Sequence, residues 1–181
     1  MLPSLSRLLG LLILAGACTA AFAAQPVASV PALDISRYAG QWHEIARLPN
    51  DFQQDCASDI IASYTLRGDG RVGVRNACTD TKGARIVADG EARRVAGHPG
   101  QLEVRFAPAW LSWLPLVWAD YWVIDLDPDY TWAVVGEPGR EYFWILAREP
   151  FMDRALFEGL KLRATQMGYD LSGLVVTAPL R

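Results

Sequence analysis

The feature that most constrains this chain is a succession of short strand-like segments between Asp34 and Arg148, separated by turn residues. In residues 59–67 (DIIASYTLR), one face of the predicted strand is apolar and the other is mostly polar, as on a strand with one buried face. Gly68-Asp69-Gly70 follows as a hairpin turn, since glycine tolerates positive φ. The same reasoning predicts eight strands, at about 41–49, 59–67, 71–79, 84–96, 101–107, 119–127, 130–136 and 141–147. An all-β, antiparallel up-and-down barrel is therefore expected, because closure removes exposed sheet edges.

The apolar period changes after the last predicted strand. Pro150 suits a helix N-terminus, and apolar residues then recur at roughly helical spacing until Gly168, at Met152, Leu156, Leu160 and Met167. One apolar stripe predicts a single C-terminal α-helix packed on the outside of the barrel. Residues 174–177 are predicted as a last short strand.

The N-terminus has the pattern of an export signal. Arg7 is followed by an apolar run of about ten residues, at 8–17, which is too short to cross a bilayer as a helix. Residues 14–18 (LAGAC) resemble a lipobox, in which Cys18 becomes the first mature residue and carries acyl chains. Residues 21–23 (AFA) instead resemble an ordinary signal peptidase site, which gives a soluble periplasmic or secreted protein. We expect a signal peptide at 1–17 (alternatively 1–23), a tether at 18–33 and one barrel domain at 34–181.

Three cysteines are an odd number, and this favours the lipobox interpretation. If Cys18 is the lipid anchor, Cys56 and Cys78 remain as a pair, and export makes a disulfide between them plausible. Hairpin counting places Cys78 opposite about residue 59, so the chain at Cys56 must curl back to reach it. The alternative is two free buried thiols.

Charge and motif content exclude several functions. The chain has 20 Asp and Glu against 17 Lys and Arg, and it lacks the basic surface that a nucleic-acid partner requires. His43 and His98 have no obvious nucleophile or acid beside them, and no metal-ligand cluster or glycine-rich phosphate loop occurs. Asp125 is expected inside the barrel, paired with Arg94 or Arg105. We therefore predict no catalytic residue, no metal and no cofactor, and a binding protein rather than an enzyme.

Three blocks of sequence carry a family resemblance. Gly40-x-Trp42 opens the first strand, Asp127-Pro128-Asp129-Tyr130 joins two later strands, and residues 144–148 (WILAR) end the last strand at Arg148. Together, over about residues 34–178, they resemble the three blocks of the lipocalins, most closely the bacterial outer-membrane lipocalins. The resemblance implies an eight-stranded barrel closed at one end by Gly40, Trp42, Asp127, Tyr130 and Arg148. It also implies a small hydrophobic ligand held toward the open end.

Strand alternation, with family analogy for the later strands, gives an expected lining for the ligand cavity. Small inward residues such as Ala62 and Ala88 leave room for a ligand. In the third strand, Asn76 has the inward parity as well. The expected lining residues are Ile60, Ala62, Tyr64, Val72, Val74, Ile86, Ala88, Leu102, Val104, Phe106, Tyr121, Val123 and Trp144.

The connection at 108–118 lies at the predicted mouth, and it is apolar and uncharged. Its notable side chains are Trp110, Trp113, Leu114 and Trp118, which are costly to leave in water. Bound lipid, a membrane surface or a second subunit could cover them, or the loop could fold back as a lid. We predict storage or transport of a fatty acid or lysophospholipid at the outer membrane, through an acylated Cys18 and this loop. The alternatives are an enzyme of the same fold acting on a hydrophobic substrate, and a module that dimerises through the loop.

Overall fold

The computed structural model describes residues 25–181, which form a closed β-barrel with one long helix on its outer wall. The predicted signal peptide and Cys18 lie outside the described residues. The strands are β1 (Gly40–Arg47), β2 (Ser58–Leu66), β3 (Val72–Thr79), β4 (Arg85–Arg94), β5 (Gln101–Arg105), β6 (Ala119–Leu126), β7 (Trp132–Gly136), β8 (Phe143–Ala147) and β9 (Val175–Val176). The helices are α1 (Ile35–Tyr38) and α2 (Arg154–Gln166), with 3₁₀ turns at Asp51–Gln53, Ala109–Leu111 and Pro115–Val117.

The barrel is antiparallel throughout, and it closes through β1. Each of β1 to β8 pairs with its sequence neighbours, and β1 pairs with both β2 and β8. The two-residue β9 adds to β1 beside Ala46 and Arg47. The predicted fold, an eight-stranded antiparallel up-and-down barrel with one C-terminal helix outside, is confirmed.

A bulge in β6 corrects one predicted orientation. The β6–β7 register shifts between Val123 and Asp125, and such a shift resets the alternation of faces along a strand. Val123 is fully buried inside the barrel, whereas the Asp125 carboxylate accepts a hydrogen bond from Arg163 Nε at 2.7 Å. The prediction that Asp125 faces inward to Arg94 or Arg105 is therefore wrong. Its partner is a helix residue on the outer wall.

Helix α2 begins later than the sequence indicates. It starts at Arg154 rather than near Pro150, because the Asp153 side chain caps it by accepting from Leu156 N at 2.8 Å. Its buried side chains are Phe157, Leu160 and Ala164, one helical stripe packed on the barrel. Of the four residues expected in the stripe, only Leu160 is both within the helix and fully buried. Met152 is buried but precedes the helix, and Leu156 and Met167 are partly buried at the edge of the stripe.

One end of the barrel is closed by Arg148. Its guanidinium carbon lies 3.8 Å from the centre of the buried Trp42 ring. The same group donates to the main-chain oxygens of Arg37 (2.7 Å), Gln41 (2.8 Å) and Ala39 (3.0 Å). Arg148 thus ties the end of α1 to the start of β1.

Gly40 and the turn after β6 complete this closed end. Gly40 has φ +101°, a conformation that favours glycine, and a Cβ there would lie 3.2 Å from Arg148 Nη1 and crowd the guanidinium. The Tyr130 main-chain oxygen accepts from Arg148 Nε at 3.3 Å, and its hydroxyl accepts from Asp34 N at 2.9 Å. The Asp127 carboxylate accepts from Thr131 N within the same turn.

Residues 25–33, the described part of the predicted tether, lie against the barrel wall. Gln25 N donates to Gln166 O at 3.1 Å, and Arg140 Nη2 donates to Gln25 O at 3.2 Å. Further on, Val30 N donates to Val123 O at 2.8 Å, and Leu33 packs against the core at the closed end. Because Arg140 is in the β7–β8 turn at the open end, this segment runs from the mouth of the barrel to its base.

Candidate ligand-binding cavity

A cavity of about 480 Å³ occupies the open half of the barrel. Its wall is formed mainly by apolar side chains that point inward from β2, β3, β4 and β6. Ten of the thirteen expected lining residues lie on it: Ile60, Ala62, Tyr64, Val74, Ile86, Ala88, Val104, Phe106, Tyr121 and Trp144. Room at the wall is limited where Gly90 faces Phe106, since a Cβ on Gly90 would approach that ring to 2.8 Å.

The other three expected lining residues do not reach the cavity. Val72, Leu102 and Val123 are buried in the packed core at the closed end, together with Trp42. Alternation along a strand gives the face on which a side chain lies but not its depth in the barrel. Here α1 and Trp42 fill the narrow end, and the cavity begins above them.

A second depression, of about 520 Å³, lies outside the barrel between the closed-end loops. It is bordered by largely exposed residues that include Arg71, Arg94 and His98. The inner cavity is the better candidate for an apolar ligand, because barrel walls enclose it and its lining is mostly apolar.

A polar network ties the first mouth loop to the cavity wall. Glu44 accepts from Arg47 Nη1 at 2.6 Å and from Gln53 Nε2 at 2.7 Å, and Gln53 Oε1 accepts from Trp144 Nε1 at 2.9 Å. Glu44 and Gln53 line the cavity, and neither was among the expected residues. Glu44 has the same strand parity as Trp42, and that signal could have identified it. Asn76, expected inside, also lines the cavity, and its Oδ1 has no hydrogen-bond partner among the described residues.

Three tyrosine hydroxyls meet at the floor of the cavity. Tyr121 OH lies 2.6 Å from Tyr38 OH and 2.8 Å from Tyr64 OH. Burial raises the pKa of Tyr64 to about 12 and the pKa values of Tyr38 and Tyr121 well above the ordinary value, so all three stay protonated at neutral pH. Tyr38 was missed because it belongs to α1, where strand alternation does not apply. Its main-chain oxygen accepts from Trp42 Nε1 at 2.8 Å, which places it under the barrel.

Cys56 and Cys78 form a disulfide, as predicted. Their Cα atoms are 5.5 Å apart, and Ala57 N donates to Thr79 O beside the bridge. The bridge joins the chain before β2 to the mouth end of β3, and both cysteines border the cavity. The first mouth loop is therefore covalently restrained.

The apolar loop at the mouth points mostly away from the cavity. Trp110 and Trp113 are 73% and 74% exposed and Leu116 is 95% exposed, whereas Leu114 is half-buried. Trp118 differs from the other two tryptophans of this loop, because it packs on the outer wall under Arg93, whose guanidinium carbon is 4.1 Å from the indole centre. Of residues 108–118, only Val117 borders the cavity. The loop is thus an exposed apolar surface at the rim and not a lid.

Solved structures of other proteins share this barrel geometry. The family model described as a lipocalin-like domain matches residues 33–179. The chain belongs to the lipocalin family. Temperature-induced lipocalin-1 of Arabidopsis thaliana is 39% identical over 148 residues, covering 80% of this chain and 78% of that protein. Outer membrane lipoprotein Blc of Escherichia coli K12 is 31% identical over 160 residues, covering 88% and 86%. Among solved structures, the cockroach allergen Per a 4 matches with a TM-score of 0.65 at 18% identity, over 87% of this chain and 96% of that one, which shows the shared fold.

Membership in the lipocalins supports binding of a small hydrophobic ligand in the barrel. Within residues 25–181, no three potential metal-binding side chains come together, and neither helix has the length and apolarity to cross a membrane. In this lipocalin, His43 is half-buried on β1 and His98 is exposed in the turn before β5. Neither histidine borders the cavity.

Proposed function

We propose that this lipocalin stores or transports a fatty acid or lysophospholipid at the bacterial outer membrane, with the mouth of the barrel turned toward the bilayer. The observation that carries the proposal is that the exposed apolar loop and Gln25 of the N-terminal segment both lie at the rim of the apolar cavity. The Escherichia coli relative, named as an outer membrane lipoprotein, supports the location.

The cavity suits an acyl chain. Its volume of about 480 Å³ lies within the usual range for small-molecule sites. Aliphatic and aromatic side chains form most of its wall, and each methylene transferred from water to such a wall gains about 0.8 kcal/mol. A charged head group is better placed at the open mouth, where water remains available to it.

The exposed loop suits a lipid surface. Trp110, Trp113 and Leu116 extend from the rim without covering the cavity. Tryptophan is favoured at the boundary between water and hydrocarbon, because its ring is amphipathic. A bilayer beneath the rim therefore offers these side chains the burial that the barrel itself does not.

The course of the N-terminal segment supports the same orientation. Gln25 is bonded at the rim to Arg140 and Gln166. Cys18 precedes Gln25 by seven positions, a distance of at most about 25 Å for extended chain. Strands β6 and β7 are paired, so the 106–118 connection and the β7–β8 turn leave the barrel side by side. Acyl chains on Cys18 would hold this side of the rim close to the membrane.

Lipid analysis tests the ligand. The purified native protein is extracted and the extract analysed by mass spectrometry, and fatty acids and lysophospholipids are titrated against bound 11-(dansylamino)undecanoic acid. We expect a co-purified single-chain lipid and displacement of the probe. If no amphiphile is extracted and none competes, the carrier function is refuted.

Vesicle sedimentation tests the orientation, with the chain beginning at Ala24 so that no acyl group contributes. Trp113→Asp is expected to lower binding to phospholipid vesicles about tenfold. Leu66→Asp is the matched control, because Leu66 is 46% exposed at the end of β2, at the closed end of the barrel, and it should bind like the parent. Equal binding by all three chains would contradict a membrane-facing rim. A concentration-dependent mass that Trp113→Asp abolishes would instead assign the loop to a second copy of this chain.

Radioactive palmitate tests the anchor. Cells that make the native chain are expected to label it, and the Cys18→Ala chain should stay unlabelled and leave the membrane fraction. A native chain that takes up no label would show that Cys18 is lost with the signal peptide.

A further inference from the structure

The floor of the cavity has polar groups that a purely apolar ligand does not use. Tyr64 and Tyr121 border the cavity, and Tyr38 lies behind them. The hydrogen bonds of these hydroxyls among residues 25–181 are the two that join them, from Tyr121 to Tyr38 and to Tyr64. Buried polar groups are normally fully paired, so this arrangement has a chemical consequence.

Proton counting gives that consequence. Each tyrosine hydroxyl has one proton to donate and lone pairs to accept. Three hydroxyls hold three protons, and the two contacts use two of them. When Tyr38 donates to Tyr121, the third proton is on Tyr121 or Tyr64, and both line the cavity. One O–H donor is then available to an acceptor that arrives from the cavity side.

The charges around the cavity restrict the kind of acceptor. Among the described residues, its lining includes the carboxylates of Glu44 and Asp120 and no lysine, arginine or histidine. A carboxylate or phosphate at the floor would lose its hydration without gaining a cation, which is costly. The tyrosines also remain neutral, because burial raises their pKa values. An uncharged oxygen suits this floor better than an anion.

We propose that the hydroxyls of Tyr38, Tyr64 and Tyr121 bind an uncharged oxygen at the buried end of the ligand. The preferred ligand is then a long-chain lipid whose deep end carries a hydroxyl or carbonyl group. Its charged head group, when it has one, stays at the mouth. This inference rests on the proposed function, because it assigns the ligand class of the same cavity.

A matched ligand series tests the floor. Fatty acids of 12, 14 and 16 carbons and their ω-hydroxy counterparts are titrated against bound 11-(dansylamino)undecanoic acid. In an apolar cavity the added hydroxyl should weaken binding, because its desolvation is not repaid. Here we expect one chain length at which the ω-hydroxy acid binds at least as tightly as the plain acid. The dicarboxylic acid of that length should bind more weakly than both.

Two variants distinguish a hydrogen bond at the floor of the cavity from an overall change in ligand affinity. Tyr64→Phe combined with Tyr121→Phe removes both hydroxyls that line the cavity, and the double variant should weaken the ω-hydroxy acid about five- to tenfold relative to the plain acid, the loss of about one hydrogen bond. Tyr142→Phe removes a hydroxyl near the mouth and should change both affinities by the same factor. Circular dichroism and melting curves establish that each variant folds, and the ligand series on the parent protein remains the test if the double variant does not fold.

The outcomes distinguish this inference from the carrier function. If the ω-hydroxyl weakens binding at every length, and the double Tyr64→Phe and Tyr121→Phe variant leaves the ratio unchanged, the polar floor is refuted while the carrier function stands. If no plain or ω-hydroxy acid displaces the probe, the carrier function itself fails. A preference for the ω-hydroxy acid that the double Tyr64→Phe and Tyr121→Phe variant abolishes supports the floor.

Discussion

Removal of the Arg148 side chain should destabilise the barrel without changing its affinity for a fatty acid. Arg148 stacks on Trp42 at 3.8 Å and donates to main-chain oxygens at five positions, between 2.7 and 3.3 Å. The stacking is worth about 1 kcal/mol. Water can reach part of this group, so we count roughly two net hydrogen bonds of about 1 kcal/mol each. Arg148→Ala should then cost about 3 kcal/mol.

Calorimetry measures this cost. For a domain of this size, about 3 kcal/mol corresponds to a melting temperature lower by roughly 10 °C. The comparison variant is Arg163→Ala, which removes an arginine that is exposed and donates to Asp125 at 2.7 Å. Exposed ion pairs contribute about 0 to 1 kcal/mol, so its melting temperature should fall by no more than a few degrees.

Affinity for hexadecanoic acid is the second measurement on both variants. Arg148 is at the closed end, below the floor of the cavity, so the dissociation constant of each variant should stay within about twofold of the parent. Two results would refute this reasoning: equal melting temperatures for the two variants, or a large loss of affinity in Arg148→Ala with unchanged stability. The first would mean that Arg148 adds no more stability than an exposed ion pair, and the second that it acts on the ligand site.

Three further predictions concern stability. The Cys56–Cys78 bridge spans 22 positions and should contribute about 3 kcal/mol, so dithiothreitol should lower the urea midpoint of the native chain and not that of the double Cys→Ala variant. Burial raises the pKa of Tyr64 from about 10 in the unfolded chain to about 12 in the folded protein. Above pH 10 the folded protein therefore binds more protons than the unfolded chain, and its stability falls as pH rises. Urea unfolding from pH 9 to 11 should show this slope, and Tyr64→Phe should reduce it. Gly40→Ala should cost about 1–2 kcal/mol by thermal melting, because of its positive φ and the contact with Arg148; an unchanged melting temperature would contradict this.

The barrel could be predicted from the sequence because its signals are local. Alternation in residues 59–67 and the following glycine turn define a hairpin without reference to the rest of the chain. The blocks around Trp42 and Arg148 then indicated the family and the residues that close one end of the barrel. The disulfide was predicted from the odd number of cysteines and from the export signal, and the structure confirms it.

The errors occur where a long-range contact overrides a local pattern. The bulge after Val123 forms against β7 and turns Asp125 toward Arg163, which is 38 positions away in sequence. The start of the helix is an error of a different kind, because the Asp153 cap at Arg154 is a local signal and Pro150 was used in its place. No periodicity marks Tyr38, because its position under the barrel depends on the packing of α1.

The same difficulty applies to the depth of the cavity. Val72 and Val74 have equal parity on β3, yet only Val74 lines the cavity. The difference comes from the residues that fill the closed end, chiefly Trp42 and Tyr38, which pack in the same core cluster as Val72 although they are distant from it in sequence. Sequence alternation therefore identified the inner face but not the level of its floor.

Residues 25–39, the N-terminal segment together with α1, connect the two ends of the barrel. This stretch contributes Tyr38 to the floor, it supplies the carbonyls of Arg37 and Ala39 to Arg148, and it reaches the rim at Gln25. In the proposed orientation the anchor at Cys18 is continuous with this segment. In that orientation a pull on the anchor would reach the rim contacts of Gln25 before the Arg148 contacts at the base. The contacts of Arg148 would then hold the far end of the same stretch of chain that carries the anchor.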